Sequence, residues 1–208
     1  MSETTTRDPA ARAPGRPRSE RAEKAIIEAV LDLLAEESGV AAVSIEAVAA
    51  RAGVGKTTIY RRWPNKEALI VGALAAAKRP LHDPEHGSLR ADLVELARQI
   101  GAERGDRHAR CFWNVVGGAE KHPRLYARYR NDVIEPRREV LRRVLRRGLE
   151  RGELRPGVDP EVAIALLVGA LAHKTPRDRL PEGFPEAVVD TVLGGIGTEA
   201  ALGTNAER

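Results

Sequence analysis

The chain has 208 residues, 42% of them apolar and only 3% aromatic, which suits one large domain or a small module joined to a larger one, with a core of Ala, Val, Leu and Ile. Its single cysteine, Cys111, rules out an intrachain disulfide framework and fits a reducing compartment. The first twenty residues hold no apolar stretch of the signal-peptide kind, and the longest uncharged apolar run, Val162 to Ala172, falls short of the ~20 residues of a membrane span; a cytoplasmic protein with no membrane partner is expected.

Residues 1–18 are rich in Pro, Thr, Ala and Arg and lack any period, which predicts a disordered basic arm. From Glu20 to Ser38 apolar residues recur at helical spacing (Ile26, Ile27, Val30, Leu31, Leu33, Leu34). Ser19 can cap this helix, and Gly39 can end it in a left-handed conformation. A second, short helix starts at the N-cap Ser44, with Val43 placed to pack on Val48, and stops at Gly53. A third spans Lys56 to Trp63 before Pro64 and Asn65 break the chain. A fourth runs from Lys66 to Ala77. The segment Lys78 to Gly87 holds two prolines and reads as a flexible linker and a domain boundary, with one unit over residues 19–80 and another over 81–208. Beyond it every segment reads as helix: Ser88 to Glu103, His108 to Lys121, Arg124 to Arg151, Asp159 to Lys174 and Pro185 to Leu193. Pro136 must kink or restart the third of these. No stretch sustains period-two alternation, so the chain is all-α.

The unit Ser44 to Trp63, SIEAVAARAGVGKTTIYRRW, reads as two short helices joined at Gly53, a helix-turn-helix. Ile45, Val48 and Ala49 face inward, Ala52 and Val54 fill the turn, and Ile59 and Trp63 lie four apart on the second helix. Its other face offers Lys56, Thr57, Thr58, Tyr60, Arg61 and Arg62. Cations and hydroxyls suit phosphate oxygens, and short side chains reach base edges in a major groove. From Val40 to Pro80 there are seven basic residues and two acidic ones, so this stretch carries more than the whole chain's net charge of +4; that is the footprint of a phosphate-binding surface.

Residues 20–70 resemble the N-terminal domain of the TetR/AcrR family of bacterial transcriptional regulators. The resemblance lies in an amphipathic first helix, Ser44 before the second, the pair Val48 and Ala49, the turn Ala52, Gly53 and Val54, the step from Tyr60 to Trp63, and the start Lys66, Glu67 of the fourth helix. It implies that Ser44 and Tyr60 bind phosphates, and that Lys56, Thr57 and Thr58 face bases or flanking phosphates. It also implies that Arg61 and Arg62 hold the DNA backbone and that Lys66 clamps a further phosphate. Two residues depart from the family pattern: Gly55 where a Ser usually caps the third helix, and Arg62 where His is frequent. Gly15, Arg16, Pro17 and Arg18 resemble an extended arm that reads a minor groove.

The same resemblance implies that the C-terminal helices form a homodimer and enclose a pocket for a small-molecule effector, giving a repressor of an inverted-repeat operator in double-stranded DNA. Asp159 to Lys174 and Pro185 to Leu193 are the candidate dimer seam, the first being apolar nearly all round. Phe112, Trp113, Asn114, Tyr126 and Tyr129 are the candidate pocket residues. A regulator that binds DNA without any ligand is one alternative. A P-loop-like nucleotide-binding protein is another: Ala50 to Thr57, ARAGVGKT, matches the loose form of a phosphate-binding loop, but such a loop must follow a strand. His108 and Cys111 lie three apart without an obvious third ligand, so neither metal nor cofactor is expected, and no nucleophile is paired with a base. The arginines between Arg137 and Arg151 read as a solvated helix face.

Overall fold

The computed structural model describes residues 16–36, 38–102, 106–172 and 181–194, and among them there is helix but no strand. Helix α1 (Arg16–Ala35) sinks Ile26, Val30 and Leu34 completely. It begins three residues before the Ser19 cap that local propensity suggests. Pro17 fits a first turn, where its missing N–H is no loss, and Arg62 takes both the hydroxyl and the carbonyl of Ser19. Arg16, Pro17 and Arg18 are therefore helical rather than an extended arm; residues 1–15 of that arm lie outside the described residues.

Helix α2 (Ile45–Ala52) opens on Ser44, whose hydroxyl accepts the Ala47 amide at 3.0 Å, and closes on Gly53 at φ +65°. Val43 and Val48 are both fully buried, as the predicted staple requires. Helix α3 (Lys56–Tyr60) is shorter than expected; the amides of Arg61, Arg62 and Trp63 close it with a turn onto Thr57 and Ile59. Helix α4 (Lys66–Ala77) has the expected span. Asn65 does more than break the chain: its side-chain oxygen accepts the Ala68 amide at 2.8 Å, an N-cap.

The body follows as α5 (Leu89–Ala102), α6 (Asp106–Gly117), α7 (Pro123–Tyr129), a π-helical turn over Arg130–Ile134, α8 (Glu135–Glu150), α9 (Pro160–Leu171) and α10 (Phe184–Gly194). The π turn is how the chain absorbs Pro136, which lacks the N–H that a regular ladder needs there. The predicted helix ends at Glu103 and Lys174 lie outside the described residues.

Two hydrophobic clusters form, and their division does not follow the linker. The first joins α1 to α4 with Cys111, Val115, Leu125, Tyr129 and Val133, so α6 and α7 pack on the N-terminal helices. The second joins Leu81 with α5, α8, α9 and α10. The linker itself is tied down, contrary to the expectation of flexibility. Asp83 accepts from Arg143 and Arg147 at 2.9 Å each, and these contacts hold its carboxyl below the usual range. Buried Asp92 accepts the His86 amide at 2.7 Å and lies 3.6 Å from Arg147. The α8 arginines, expected to form a solvated helix face, thus also tie the linker to the body.

One close approach sets how α3 meets α4. A Cβ on Gly72 would fall 2.4 Å from Nε1 of Trp63. Overpacking costs about 1–3 kcal/mol, while replacing a helical Gly by Ala returns at most ~1 kcal/mol. Gly72→Ala should therefore lower stability by up to about 2 kcal/mol and shift Trp63 fluorescence, as urea unfolding and emission spectra would register.

Candidate nucleic-acid interface and cavity

Ile59, fully buried, anchors α3 against the first core. Anchoring there turns Lys56, Thr57, Tyr60 and Arg61 to the surface, with Thr58 half-buried. Tyr60 is 50% exposed, which leaves a phenol and its ring edge on an otherwise polar helix face. Gly55 starts α3 with extended backbone and no side-chain cap. Lys56 reaches back to Glu46 on α2, Nζ to Oε1 at 2.6 Å. That hydrogen bond raises the ammonium pKa and lowers that of the carboxyl. Lys66 is half-buried at the start of α4, and burial pushes its pKa down. The Ser44 hydroxyl caps α2 with a lone pair, which leaves its own proton to donate outward.

Arg62 does not share this surface. Its side chain is 20% exposed, its Nε donates to Glu23 at 3.2 Å, and its terminal nitrogen donates to Ser19. Here it clasps the end of α3 to α1, a partner 39 residues away that the local pattern could not reveal. Arg16 and Arg18 fall in the first turn of α1, and their side chains lie outside the described residues.

Between the end of α4 and helices α5, α6, α8 and α9 lies a cavity of about 150 Å³. Phe112, Trp113 and Tyr129 line it, three of the five aromatic and amide residues singled out from the sequence. The rings of Phe112 and Trp113 meet edge to face, 5.2 Å between centroids. Tyr126 is not among the lining residues. Asn114 turns away as well: its Nδ2 donates to the carbonyls of Leu34 at 2.7 Å and Glu36 at 3.1 Å, closing the C-terminus of α1. Sequence reasoning missed Lys78, Arg137 and Cys111 in the wall. Cys111 donates its thiol proton to the Leu31 carbonyl at 3.1 Å, and burial pushes its pKa up to about 11, which leaves the thiol protonated and unreactive.

The segment Ala50 to Thr57 joins helix α2 to helix α3. The strand that a nucleotide-binding loop needs is missing there, and the P-loop reading falls with it.

The model for bacterial regulatory proteins of the tetR family matches residues 26–73, and the tetracyclin repressor-like C-terminal domain matches residues 83–192. An uncharacterized HTH-type transcriptional regulator of Bacillus subtilis, YdeS, is 36% identical over 190 residues, which cover 90% of this chain and 96% of YdeS. The crystal structure of the TetR family transcription regulator SCO0332 is 32% identical, with a TM-score of 0.62 over 86% of this chain and 100% of that one. The regulator FadR from Bacillus subtilis, solved in complex with stearoyl-CoA, has the same fold at a TM-score of 0.68 and 19% identity, over 84% of this chain and 99% of that one. With its reading helix, its helical body and both family domains in place, the chain belongs to the TetR family of helix-turn-helix transcriptional regulators and is a DNA-binding regulator.

Proposed function

We propose that the chain is a cytoplasmic repressor that binds an inverted-repeat operator as a homodimer and leaves it when a small molecule fills the cavity. The observation that carries the reading is the outer face of α3. Lys56, Thr57, Tyr60 and Arg61 are all exposed on a short helix held rigidly by Ile59 and Trp63. In this reading Thr57 and Thr58 meet base edges or flanking phosphates. Ser44, Lys56, Tyr60, Arg61 and Lys66 bind phosphates. Arg62 holds α3 in place and is not a DNA contact. Residues 19–80 serve as the reading unit and 81–208 as the effector and dimerisation unit.

Dimerisation supplies what one reading helix lacks, since two half-sites a helical turn or more apart give selectivity. The surface that suits a second copy is the outer face of α9, where Val162 is 56% and Leu166 57% exposed, with Ala165 and Gly169 also at the surface. Leu167 and Val189, which lie within the two segments that the sequence offers as the seam, belong to the chain's own core at 2% and 0% exposure. Release follows from linkage. Leu74 and Ala77, at the end of the helix that carries the reading head, line the cavity. A ligand that prefers one placement of α4 shifts the heads by a coupling of about 1–3 kcal/mol, a change in operator affinity of roughly 5- to 150-fold.

Selection of bound sequences from random DNA should return an inverted repeat. On that operator, Arg61→Ala should weaken binding at every sequence and flatten the salt dependence by about one unit. Arg62→Ala should leave the slope alone and cost about 1–2 kcal/mol of stability through its lost charged hydrogen bonds. Equal slopes for wild type and Arg61→Ala would remove α3 from the interface.

Val162→Glu together with Leu166→Glu should yield a folded monomer at micromolar concentration by sedimentation, with operator binding lost. A dimer that survives both changes would place the seam elsewhere.

A further inference from the structure

We infer that Glu46 competes with DNA phosphates for Lys56, and that it withholds this cation from DNA that lacks the operator. The inference rests on the reading of Lys56 as a phosphate contact. Oε1 of Glu46 lies 2.6 Å from Nζ of Lys56, a short charge-assisted hydrogen bond. The carboxylate oxygen therefore stands on the ammonium as a phosphate oxygen would. The ammonium has three protons, but a phosphate brought to another of them meets the carboxylate charge close by and is repelled.

The place of the pair in the reading head gives it a consequence. Lys56 is the first residue of α3, and Glu46 lies in the first turn of α2, which Ser44 caps. Both side chains are at the surface, Lys56 54% and Glu46 64% exposed, so core packing does not demand the contact. Each group shifts the other toward its charged form, which keeps both ionised at neutral pH. Arg61, the other exposed cation of α3's face, has no ion pair among the described residues. Glu46 thus acts on one cation of that face and leaves the other free.

Two kinds of complex treat this pair differently. Non-specific binding is almost wholly electrostatic, and the protein slides past phosphates met at shifting distances. A carboxylate carried by the same chain outcompetes such phosphates, so Lys56 stays with Glu46. At the operator the base contacts of α3 favour one register, one phosphate stays beside Lys56, and the lysine changes partner. Glu46 thereby subtracts one cation from binding to unrelated DNA and none from the operator complex, which widens the gap between them.

The test measures the salt dependence of DNA affinity for the full chain on two duplexes of equal length. One is the operator returned by selection and the other a scrambled sequence. Glu46→Gln should steepen the slope on scrambled DNA by about 0.9, one further counterion released, and tighten that binding about eightfold at 0.1 M salt. On the operator the slope should stay as in the wild type. The gain there should stay under about fivefold, the most that an exposed ion pair contributes. Lys56→Gln should flatten the operator slope by about one unit and leave the scrambled slope unchanged. Combining the two substitutions should return the scrambled slope to its wild-type value. Should Glu46→Gln unfold, Glu46→Ala takes its place with the same expected slopes.

An ion pair that only ties α2 to α3 would cost stability without steepening either slope, and that result overturns the inference. Equal steepening on both duplexes does so too. An operator slope untouched by Lys56→Gln would defeat the reading of Lys56 as a phosphate contact, and the inference with it. An operator slope flattened by Lys56→Gln, with a scrambled slope that Glu46→Gln leaves alone, defeats the inference and keeps that reading.

Discussion

Helix α4 is apolar on almost every side, with Ala68, Leu69, Ile70, Val71, Ala73 and Leu74 all buried, and a helix of that kind has to be surrounded. α1 covers one flank, α7 and the π turn another, and Trp63 lies on Gly72. Surrounding α4 is what forces the N-terminal helices and part of the body into one shared core. The reading helix α3 inherits its position from this arrangement, because its buried contacts run through Ile59 and the Trp63 step onto α4. The far end of α4, Leu74 and Ala77, becomes part of the cavity wall. Interface and cavity are therefore two ends of one buried helix.

Polar contacts fix the angles that apolar packing leaves loose. Along one face of α6, Arg107 pairs with Glu28 at 2.8 Å, Cys111 donates to the Leu31 carbonyl, and Asn114 donates to the carbonyls of Leu34 and Glu36. Spacings of four and three keep these residues on one stripe, so α6 is latched along the length of α1. Phe112 and Trp113, between them in sequence, point to the cavity side. Asp83 and Asp92 do the same service for the linker. A buried carboxylate such as Asp92 is costly without partners, and its bond to the His86 amide, with Arg147 nearby, holds the path from α4 to α5 in a single course. Helices α4 and α6, which both carry cavity-lining residues, are thus where the N-terminal helices and the body meet.

The local signals were strong where structure depends on neighbours in sequence. Ser44, Gly53 and the span of α4 are where capping and turn chemistry put them, because a cap is a contact over three residues and a left-handed glycine is a property of one. The face of α3 was legible for the same reason: once Ile59 and Trp63 are inside, helical period alone turns Lys56, Thr57, Tyr60 and Arg61 outward. Family resemblance implies DNA-contacting roles for those residues. Arg62 stands where the family pattern has another residue, and Glu23 and Ser19 claim it from across the fold.

What tertiary structure alone decided is every matter of which helix lies beside which. The sequence determined an all-helical chain, a helix-turn-helix and a basic segment, since periodicity, caps and charge are counted along the chain. It could not tell that Asn114 would close α1, that Leu167 faces the core and Leu166 the surface, or that Lys78 and Arg137, 59 residues apart, both line the cavity. In an apolar helix such as α9 the pattern has no preferred face, so only the neighbours that pack against it choose one. A cavity is bounded by residues from many elements, and no local pattern records their meeting.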